Sequence, residues 1–463
     1  MYRKTLLITL SIAIPIFLTS CSGAGGQNVQ RISDPKTAFT AENTETAASE
    51  PVIKMDDRDS DSKKPAMIIH EDLEAEDPNA AIEPEIEENS FQGYVLSEEE
   101  ENDPRVRCLE SRDPEKVVID FAGDINFDEH YSNMANYRSK GMGMAGVLSD
   151  NLLKELNDAD IFMINNEFPY SDRGTPTPGK KFTFRARPSM VSNLTEMGVD
   201  IAGLANNHAY DHGPDALLDT FATLTGAGIP YVGAGRDLQE ARSPFYYISG
   251  GIKIAFVAAT QIERSSPPDT KEATETSPGV LRTLDPTGFL EVIRTAEDNA
   301  DLTIVFVHWG SENTYDIDAS QRSLAQQYVQ AGADLIIGAH SHCLQGFEYI
   351  NGVPVLYSMG NFWFSSKDLD SCVIQAIASK TAVPSDKGNS NTARIESVRF
   401  IPCVQHNCRT DMYEKGSSEY DRLLGAMTSL SYDVSIDEDG FISPGSGHGV
   451  APVSPKPLAR KSY

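Results

Sequence analysis

From Lys116 onward, apolar runs of β-strand length alternate with segments of helical periodicity. This alternation favours an α/β domain in which helices cover the faces of a sheet. The run 245–249 is predicted to pair with 252–259 as a hairpin across two glycines. The predicted strands are 117–122, 161–164, 199–204, 252–259, 301–308, 334–338 and 353–358. The predicted helices are 146–156, 190–197, 214–225, 286–299 and 319–331.

Side chains able to bind metal follow five of these strands directly. Ligands in α/β folds gather at the carboxyl ends of strands, so we expect these side chains to share one edge of the domain. Carboxylates combined with His and Asn suit divalent first-row cations, and two such cations can activate water and hold both ends of a displacement. The candidate ligands are Asp124, Glu167, Asn207, His308, His340 and His342.

Each of these residues has a simpler interpretation when it is taken alone. An Asp after a strand, such as Asp124, usually forms a turn or caps a helix. A single His is more often a structural group, and the string His340-Ser341-His342 is a weak signal by itself. The arrangement at five strand ends is what favours a metal site.

The order of these motifs resembles that of the calcineurin-like metallophosphoesterases. Four longer strings narrow the resemblance to the CapA family of capsule and poly-γ-glutamate synthesis proteins, over residues 117–364. They are Asn-Asn-His-Ala-Tyr-Asp-His-Gly at 206–213, His-Trp-Gly-Ser-Glu at 308–312, Gly-Ala-His-Ser-His at 338–342 and Ser-Met-Gly-Asn-Phe at 358–362. The resemblance implies a four-layer αββα sandwich of the metallophosphoesterase type. It also implies a role in making, exporting or anchoring an anionic envelope polymer, in contact with a membrane polymer-synthase complex.

The resemblance also assigns roles to the candidate ligands. Two divalent cations (Mn, Zn or Fe) are implied, with Glu167 bridging them. Asp124 and His342 would hold one cation; Asn207, His308 and His340 would hold the other. His208 would protonate a leaving group or contact the oxyanion of the substrate. Asp211 would orient His208, or alternatively cap the following helix.

One position departs from the pattern of the phosphoesterases. They usually carry His two residues after the first Asp, where this chain has Asn126. An amide is a poorer ligand than imidazole, which weakens the expectation of a dinuclear site. Three functions therefore stay open: a capsule-synthesis factor, a secreted metal-dependent hydrolase of phosphoester or amide bonds, and a scaffold lipoprotein with a vestigial site.

A group of cations follows the Glu167 loop, within residues 180–188. Arg185 and Arg187 are predicted to contact phosphate or carboxylate of the substrate, because the guanidinium fork matches both. A solvated surface loop is the alternative. Asn361 is interpreted either as a support for the metal ligands or as a turn residue.

The N-terminus has the pattern of a secretion signal over residues 1–21, with two cations before the apolar run 6–18. The closing Leu-Thr-Ser-Cys resembles a bacterial lipobox, in which Cys21 becomes the lipidated first residue. An ordinary cleaved signal with an incidental Cys21 is the alternative. We expect an extracytoplasmic lipoprotein anchored to a membrane of a bacterial cell envelope.

Charge distribution sets the remaining predicted boundaries. From Glu71 to Asp103 there are fourteen Asp or Glu and no Lys or Arg, which is typical of a disordered segment. We predict an acidic tether over 22–113, a domain over 114–410 and a partly disordered extension over 411–463. An acidic arm that binds a basic partner is the alternative to a spacer. The net charge of −29 argues against a nucleic-acid partner.

Five cysteines remain beside Cys21. Cys403 and Cys408 are close enough in sequence for a local disulfide in an oxidising compartment. Because five is an odd number, at least one thiol must stay free.

Overall fold

The computed structural model describes residues 90–262, 270–385, 388–445 and 456–457, with the backbone alone in 381–392 and 456–457. The predicted signal, Cys21 and most of the predicted tether lie outside these residues. Within the described part of the chain, no helix is both long enough and apolar enough to cross a membrane.

The first of two large sheets has seven strands. Its central strands are parallel, and Phe245–Ser249 pairs with Ile252–Thr260 as the predicted antiparallel hairpin. Parallel strands buried on both faces read as continuous apolar runs, which is the pattern of this segment of the sequence. In spatial order the strands are Leu344–Ile350, Val353–Met359, Leu335–Ala339, Leu302–His308, Ile252–Thr260, Phe245–Ser249 and Val106–Cys108.

The second sheet has nine strands. Three of the six candidate ligands lie at the ends of its strands, and the other three lie at the ends of strands in the first sheet. Lys116–Ile125 pairs in parallel with Ile161–Asn166, which pairs in parallel with Ile201–Gly203. Along its main path the strands are Arg409–Met412, Gly388–His406, Leu369–Ser385, Lys116–Ile125, Ile161–Asn166, Ile201–Gly203 and Tyr231–Val232. Asn361–Trp363 pairs with Lys116–Ile125, and Lys456–Pro457 pairs with Gly388–His406. Three small two-stranded sheets join Ser90–Phe91 to Tyr94–Val95, Ala234–Gly235 to Gly279–Val280, and Val434–Ile436 to Ile442–Pro444.

The two large sheets pack face to face and helices cover their outer faces. Alternate residues of one strand reach different layers: Phe256 enters the core between the sheets, whereas Val257 packs under the outer helices of the seven-stranded sheet. Phe121 and Ala122 divide in the same way in the nine-stranded sheet. The structure therefore confirms the predicted four-layer αββα sandwich.

Helices lie on both outer faces, and one helix, Ser418–Leu430, packs against the core between the sheets. Thr287–Asn299 and Ala319–Ala331 cover the seven-stranded sheet, and Pro214–Gly226 is the longest helix over the nine-stranded sheet. The remaining α-helices are Glu98–Asn102, Ser132–Lys140, Asp150–Asp158, Ser192–Glu196 and Leu238–Arg242; two 3₁₀ turns cover Gly143–Gly146 and Pro188–Val191.

Elements of the folded unit extend beyond the predicted domain boundaries at 114 and 410. Before residue 114, Val106–Cys108 adds a parallel strand beside Phe245–Ser249. After residue 410, Ser418–Leu430 buries Leu423 and Met427 in the core between the sheets.

The end of the predicted tether folds because its charges find partners. Ser97 and Glu100 form a capping box at the start of the acidic helix Glu98–Asn102. Glu100 also forms a nearly buried ion pair with Lys253, at 2.8 Å. Composition predicts repulsion among the acidic residues, but a lysine on a distant strand pairs with one of them, Glu100.

The expected disulfide between Cys403 and Cys408 is absent; among the described residues both are free thiols. The strand that contains Cys403 continues to His406. Three residues of extended chain span roughly 10 Å, which is beyond the separation that a disulfide bridges. Proximity in sequence was therefore a poor guide here.

Candidate metal centre

Strand register brings the candidate ligands to the same end of both sheets. Asp124 lies opposite Asn165 in the nine-stranded sheet, and Asn165 lies opposite Gly203. In the seven-stranded sheet, His308 lies opposite Ala339, the residue before His340. The carboxyl ends of these strands therefore meet in one cleft between the sheets.

The first group of donor atoms surrounds the ring of His308. Its Nε2 atom lies 2.7 Å from Asn207 Oδ1, 3.0 Å from His340 Nδ1 and 3.5 Å from Glu167 Oε1. Metal bonds of about 2.0–2.2 Å place neighbouring ligand atoms roughly 3 Å apart. The four side chains thus have the spacing of ligands to a single cation.

The second group contains Asp124, Glu167 and His342, and their donor atoms lie within 4.8 Å of one another. His342 Nδ1 is 3.0 Å from Asp124 Oδ2 and 2.8 Å from Asn361 Oδ1. Glu167 belongs to both groups, which is the position of a bridging carboxylate. The six predicted ligands are brought together, and Asn361 supports one of them.

Glu167 gives the clearest test of whether cations fit. Its side chain is fully buried, and neither carboxylate oxygen accepts a hydrogen bond from any described residue. A buried carboxylate is strongly unfavourable unless it is paired or coordinates a metal. The donor set and the orphaned oxygens therefore fit two divalent cations.

The backbone around the histidines is strained where the ligands emerge. His340 and His342 have φ angles of 99° and 55°, which are uncommon for residues other than glycine. Between them, Ser341 Oγ donates to the carbonyl of Cys343 at 2.6 Å and holds the turn. Such strain persists where the surrounding structure fixes it, and it clusters at functional sites.

A close approach of two paired strands places Asp124 beside His342. The Asp124 amide donates to the carbonyl of Gly360 at 3.0 Å. A Cβ atom on Gly123 would lie 2.0 Å from that same carbonyl oxygen. Glycine is required at 123 because any side chain would separate the strand that carries Asp124 from the strand that carries Asn361.

Burial dominates the electrostatics of the cleft. It raises the pKa of Glu167 well above its usual range, and the neighbouring Asp124 carboxylate raises it further. Burial lowers the pKa of His308 to about 3, so its ring is neutral, as a metal ligand must be. Burial also opposes the charged form of His342, but Glu167 and Asp124 outweigh it and raise the pKa of His342 to about 10.

A layer of asparagines behind the ligands was missed from the sequence. Asn165 Nδ2 donates to Asp124 Oδ1 at 2.7 Å, and Asn206 Nδ2 donates to Asn165 Oδ1 at 3.2 Å. Side chains two residues apart on a strand point to the same face of the sheet. The spacing of Asn165 and Glu167 in the sequence could therefore have indicated that Asn165 lies beside the candidate ligands. Groups of this kind orient metal ligands and tune their affinity.

Beside the metal ligands, Asp211 orients His208. His208 Nδ1 lies 2.6 Å from Asp211 Oδ2, and the ring stacks on Phe184 with centroids 4.0 Å apart. The alternative helix-cap role does not hold, because the N-cap of Pro214–Gly226 is Gly213, without a side-chain cap. Burial lowers the pKa of His208 despite the nearby carboxylate.

The two predicted substrate-binding arginines lie on the loop that follows Glu167. Arg187 is exposed and its Nε atom lies 2.8 Å from Glu129. The guanidinium of Arg185 donates to the backbone carbonyl of Arg173 at 3.1 Å. Their contact with substrate stays a prediction. The cation that reaches the buried cleft is Lys180, which forms an ion pair with Asp211.

Asn126, the position that departs from the phosphoesterase pattern, has a structural contact. Its Oδ1 atom accepts a hydrogen bond from the Asp128 amide at 2.8 Å. Its Nδ2 atom is buried and has no partner among the described residues. The oxygen able to bind a metal is therefore already engaged in a turn.

Much of the chain is similar in sequence to known proteins. Residues 118–366, more than half of the chain, match the family described as bacterial capsule synthesis protein PGA_cap. The chain belongs to this family. It is similar to the capsule biosynthesis protein CapA of Bacillus anthracis, with 29% identity over 280 residues, 58% of this chain and 66% of that protein.

Two further relatives are similar over shorter segments. The PGA biosynthesis protein CapA of Bacillus subtilis (strain 168) is 34% identical over 200 residues, 42% of this chain and 51% of that protein. A probable polyglutamine synthesis accessory protein of Mycobacterium tuberculosis is 32% identical over 208 residues, 44% of this chain and 55% of that protein. The chain thus spans about half to two thirds of the length of these PGA_cap-type relatives.

Proposed function

We propose that this PGA_cap protein is an envelope-anchored factor for the synthesis or export of poly-γ-glutamate or a similar anionic polymer, and that it holds a two-cation centre. Family membership and the names of its relatives support the role in polymer assembly. The observation that carries the centre is Glu167, a buried carboxylate shared by two groups of donors.

The donor set defines how the chain would hold the cations. Glu167 would bridge them, with Asp124 and His342 on one side and Asn207, His308 and His340 on the other. Two bound cations supply Lewis acidity and lower the pKa of water. Imidazoles and an amide beside two carboxylates suit Mn²⁺, Zn²⁺ or Fe²⁺, and binding would displace the proton of His342.

The second candidate is hydrolysis of a phosphoester or amide bond within an envelope polymer. The pair His208 and Asp211 favours it, because a ring held through Nδ1 has Nε2 available for proton transfer to a leaving group. Stacking on Phe184 fixes the plane of the ring. These residues would hold and deliver a proton, a task that a purely structural lipoprotein does not need.

A genetic complementation experiment tests the role in polymer assembly. Deleting the gene should abolish or reduce surface polymer, and the wild-type chain should restore it. The variant Glu167→Gln should fail to restore polymer, whereas Glu396→Gln, which changes an exposed carboxylate in an ion pair with Lys116, should succeed. Unchanged polymer after deletion would rule out the proposed role.

A biochemical experiment separates hydrolysis from a scaffold role. Purified protein loaded with Mn²⁺ or Zn²⁺ should cleave a γ-linked glutamate oligomer or a chromogenic phosphodiester, and His208→Ala should lower the rate by about 10²–10⁴-fold. A protein that binds no metal and cleaves neither substrate, yet restores polymer with His208→Ala, would establish the vestigial scaffold instead.

Membrane attachment through Cys21 is the third part of the proposal, and it rests on the lipobox-like sequence. Metabolic labelling with radioactive palmitate should mark the wild-type protein. Replacing Cys21 by alanine should remove the label and release the protein from the membrane fraction. A labelled Cys21→Ala protein would contradict the anchor.

A further inference from the structure

Lys180 is a buried cation beside the cleft. Its side chain is only 5% exposed, and its Nζ atom donates to Asp211 Oδ1 at 2.6 Å. The same atom donates to the backbone carbonyl of Asn207. One ammonium group therefore joins the main chain at a candidate metal ligand to the carboxylate that orients His208.

Stability alone does not account for this contact. A buried ion pair loses hydration on both partners, and its attraction often only offsets that cost. Asp211 already receives a hydrogen bond from the Phe184 amide at 2.7 Å, besides its contact with His208. The position of Lys180, between the backbone of Asn207 and the carboxylate of Asp211, is thus more informative than the ion pair itself.

The loop that carries Lys180 is fixed against the loop that carries Asn207 and Asp211. The Thr177 amide donates to the backbone carbonyl of Asp211 at 2.8 Å, and the Lys180 amide donates to that of Thr177 at 3.2 Å. Because the backbone from Thr177 to Lys180 is held in this way, Lys180 reaches Asn207 and Asp211 from a fixed position.

We propose that Lys180 is a positioning residue of the metal centre, which sets the backbone at Asn207 and the carboxylate of Asp211 in one geometry. This inference rests on the proposed function and deepens it. Asn207 Oδ1 meets His308 Nε2 at 2.7 Å, so a shift of the Asn207 backbone would move a metal ligand directly. The same shift would move His208, the next residue.

The neighbouring Lys181 provides a matched control. It has the same charge, is exposed, and places its Nζ atom 4.9 Å from the centroid of the exposed Phe182 ring. A change at Lys181 alters net charge and loop composition as a change at Lys180 does. It leaves Asn207 and Asp211 untouched.

The experiment uses the full chain and Co²⁺, whose visible absorption reports coordination geometry. Lys180→Met should weaken Co²⁺ binding by about tenfold or more, the usual effect of losing a partner of a metal ligand, and should change the shape of the spectrum. Lys180→Arg, which keeps the charge, should recover most of the affinity. Lys181→Met should match the wild type in both measurements.

Three outcomes separate this inference from others. If Lys180→Met unfolds more easily but binds Co²⁺ with wild-type affinity and spectrum, Lys180 is merely structural and the inference is overturned. If Lys180→Met does not fold, Lys180→Gln replaces it, since Gln retains a donor without the charge. If the wild type itself binds no Co²⁺, the proposed metal centre fails, and the role of Lys180 fails with it.

Discussion

Replacing Glu167 by glutamine should have opposite effects on stability in the presence and absence of divalent cations. Without cations, the buried carboxylate has no hydrogen-bond partner among the described residues, and burial raises its pKa. Glutamine has nearly the same shape and no charge. Glutamine should therefore increase the stability of the metal-free protein. The same substitution removes the proposed bridging ligand, so it should weaken stabilisation by cations.

The expected stabilisation of the metal-free protein is about 1–3 kcal/mol, the order of the desolvation penalty of a buried group, and it comes from loss of the buried charge, because glutamine leaves its own amide in the same position. Because the pKa of Glu167 is raised in the folded state, the wild type loses no stability from this group below about pH 4.5, the ordinary value. It loses stability as pH rises through the folded pKa. The advantage of Glu167→Gln should accordingly grow from acidic to alkaline pH.

Divalent cations should reverse the relative stability of the wild type and Glu167→Gln. A ligand at about 100 times its Kd stabilises the folded state by ~2.7 kcal/mol. With an unfolding entropy of ~2.1 cal/mol/K per residue over the roughly 350 described residues, this raises the Tm by about 4 °C. Glu167→Gln should show little of this increase.

Thermal unfolding at pH 7.5, with EDTA and then with excess Mn²⁺, measures both effects. Glu396→Gln serves as the control for loss of an exposed carboxylate and should follow the wild type. A Glu167→Gln protein that is less stable in EDTA, or that gains as much Tm from Mn²⁺ as the wild type, would refute the reasoning.

Three further predictions concern the fold. Burial raises the pKa of Asp200 to about 6, so its protonated carboxyl favours folding below about pH 4, and this contribution is lost as pH rises through 6 and the group ionises. Asp200→Asn should therefore be more stable than the wild type by up to ~3 kcal/mol at pH 8 but not at pH 4, by urea unfolding. Met427→Ala should cost about 2–5 kcal/mol in the same assay, with the exposed Ser429→Ala near neutral; a neutral Met427→Ala would place the last helix outside the core. Denatured protein prepared without reductant should react as free thiol at Cys403 and Cys408 in mass-spectrometric mapping, and a disulfide between them would contradict the structure.

The convergence of the candidate ligands could be predicted because each of them follows the end of a predicted strand. His308 ends an apolar run of strand length, and the parallel strands of such runs finish at one edge. The glycine at 123 and the turn at His340 also lie where predicted strands end. The order of the motifs along the chain and their residue types were therefore enough to predict that six side chains lie in one cleft.

The sequence alone could not show that Lys180 and not Lys181 is buried, since the two lysines are adjacent and chemically identical. What buries Lys180 is the packing of its loop against residues 206–213, a contact between segments without regular periodicity. The helix Ser418–Leu430 was missed for a related reason. It follows the last predicted strand, and no strand was predicted after it that would indicate a further unit of the domain. Its apolar side chains nevertheless complete the core.

The proposed two-cation centre is tested most directly by a crystal structure of the protein grown with Mn²⁺, with anomalous differences recorded at the manganese edge. Two peaks about 3.5–4 Å apart are expected in the cleft. Glu167 should lie between them, Asp124 and His342 beside one, and Asn207, His308 and His340 beside the other. No peak in this cleft, or a single peak that Glu167 does not contact, would contradict the proposed centre.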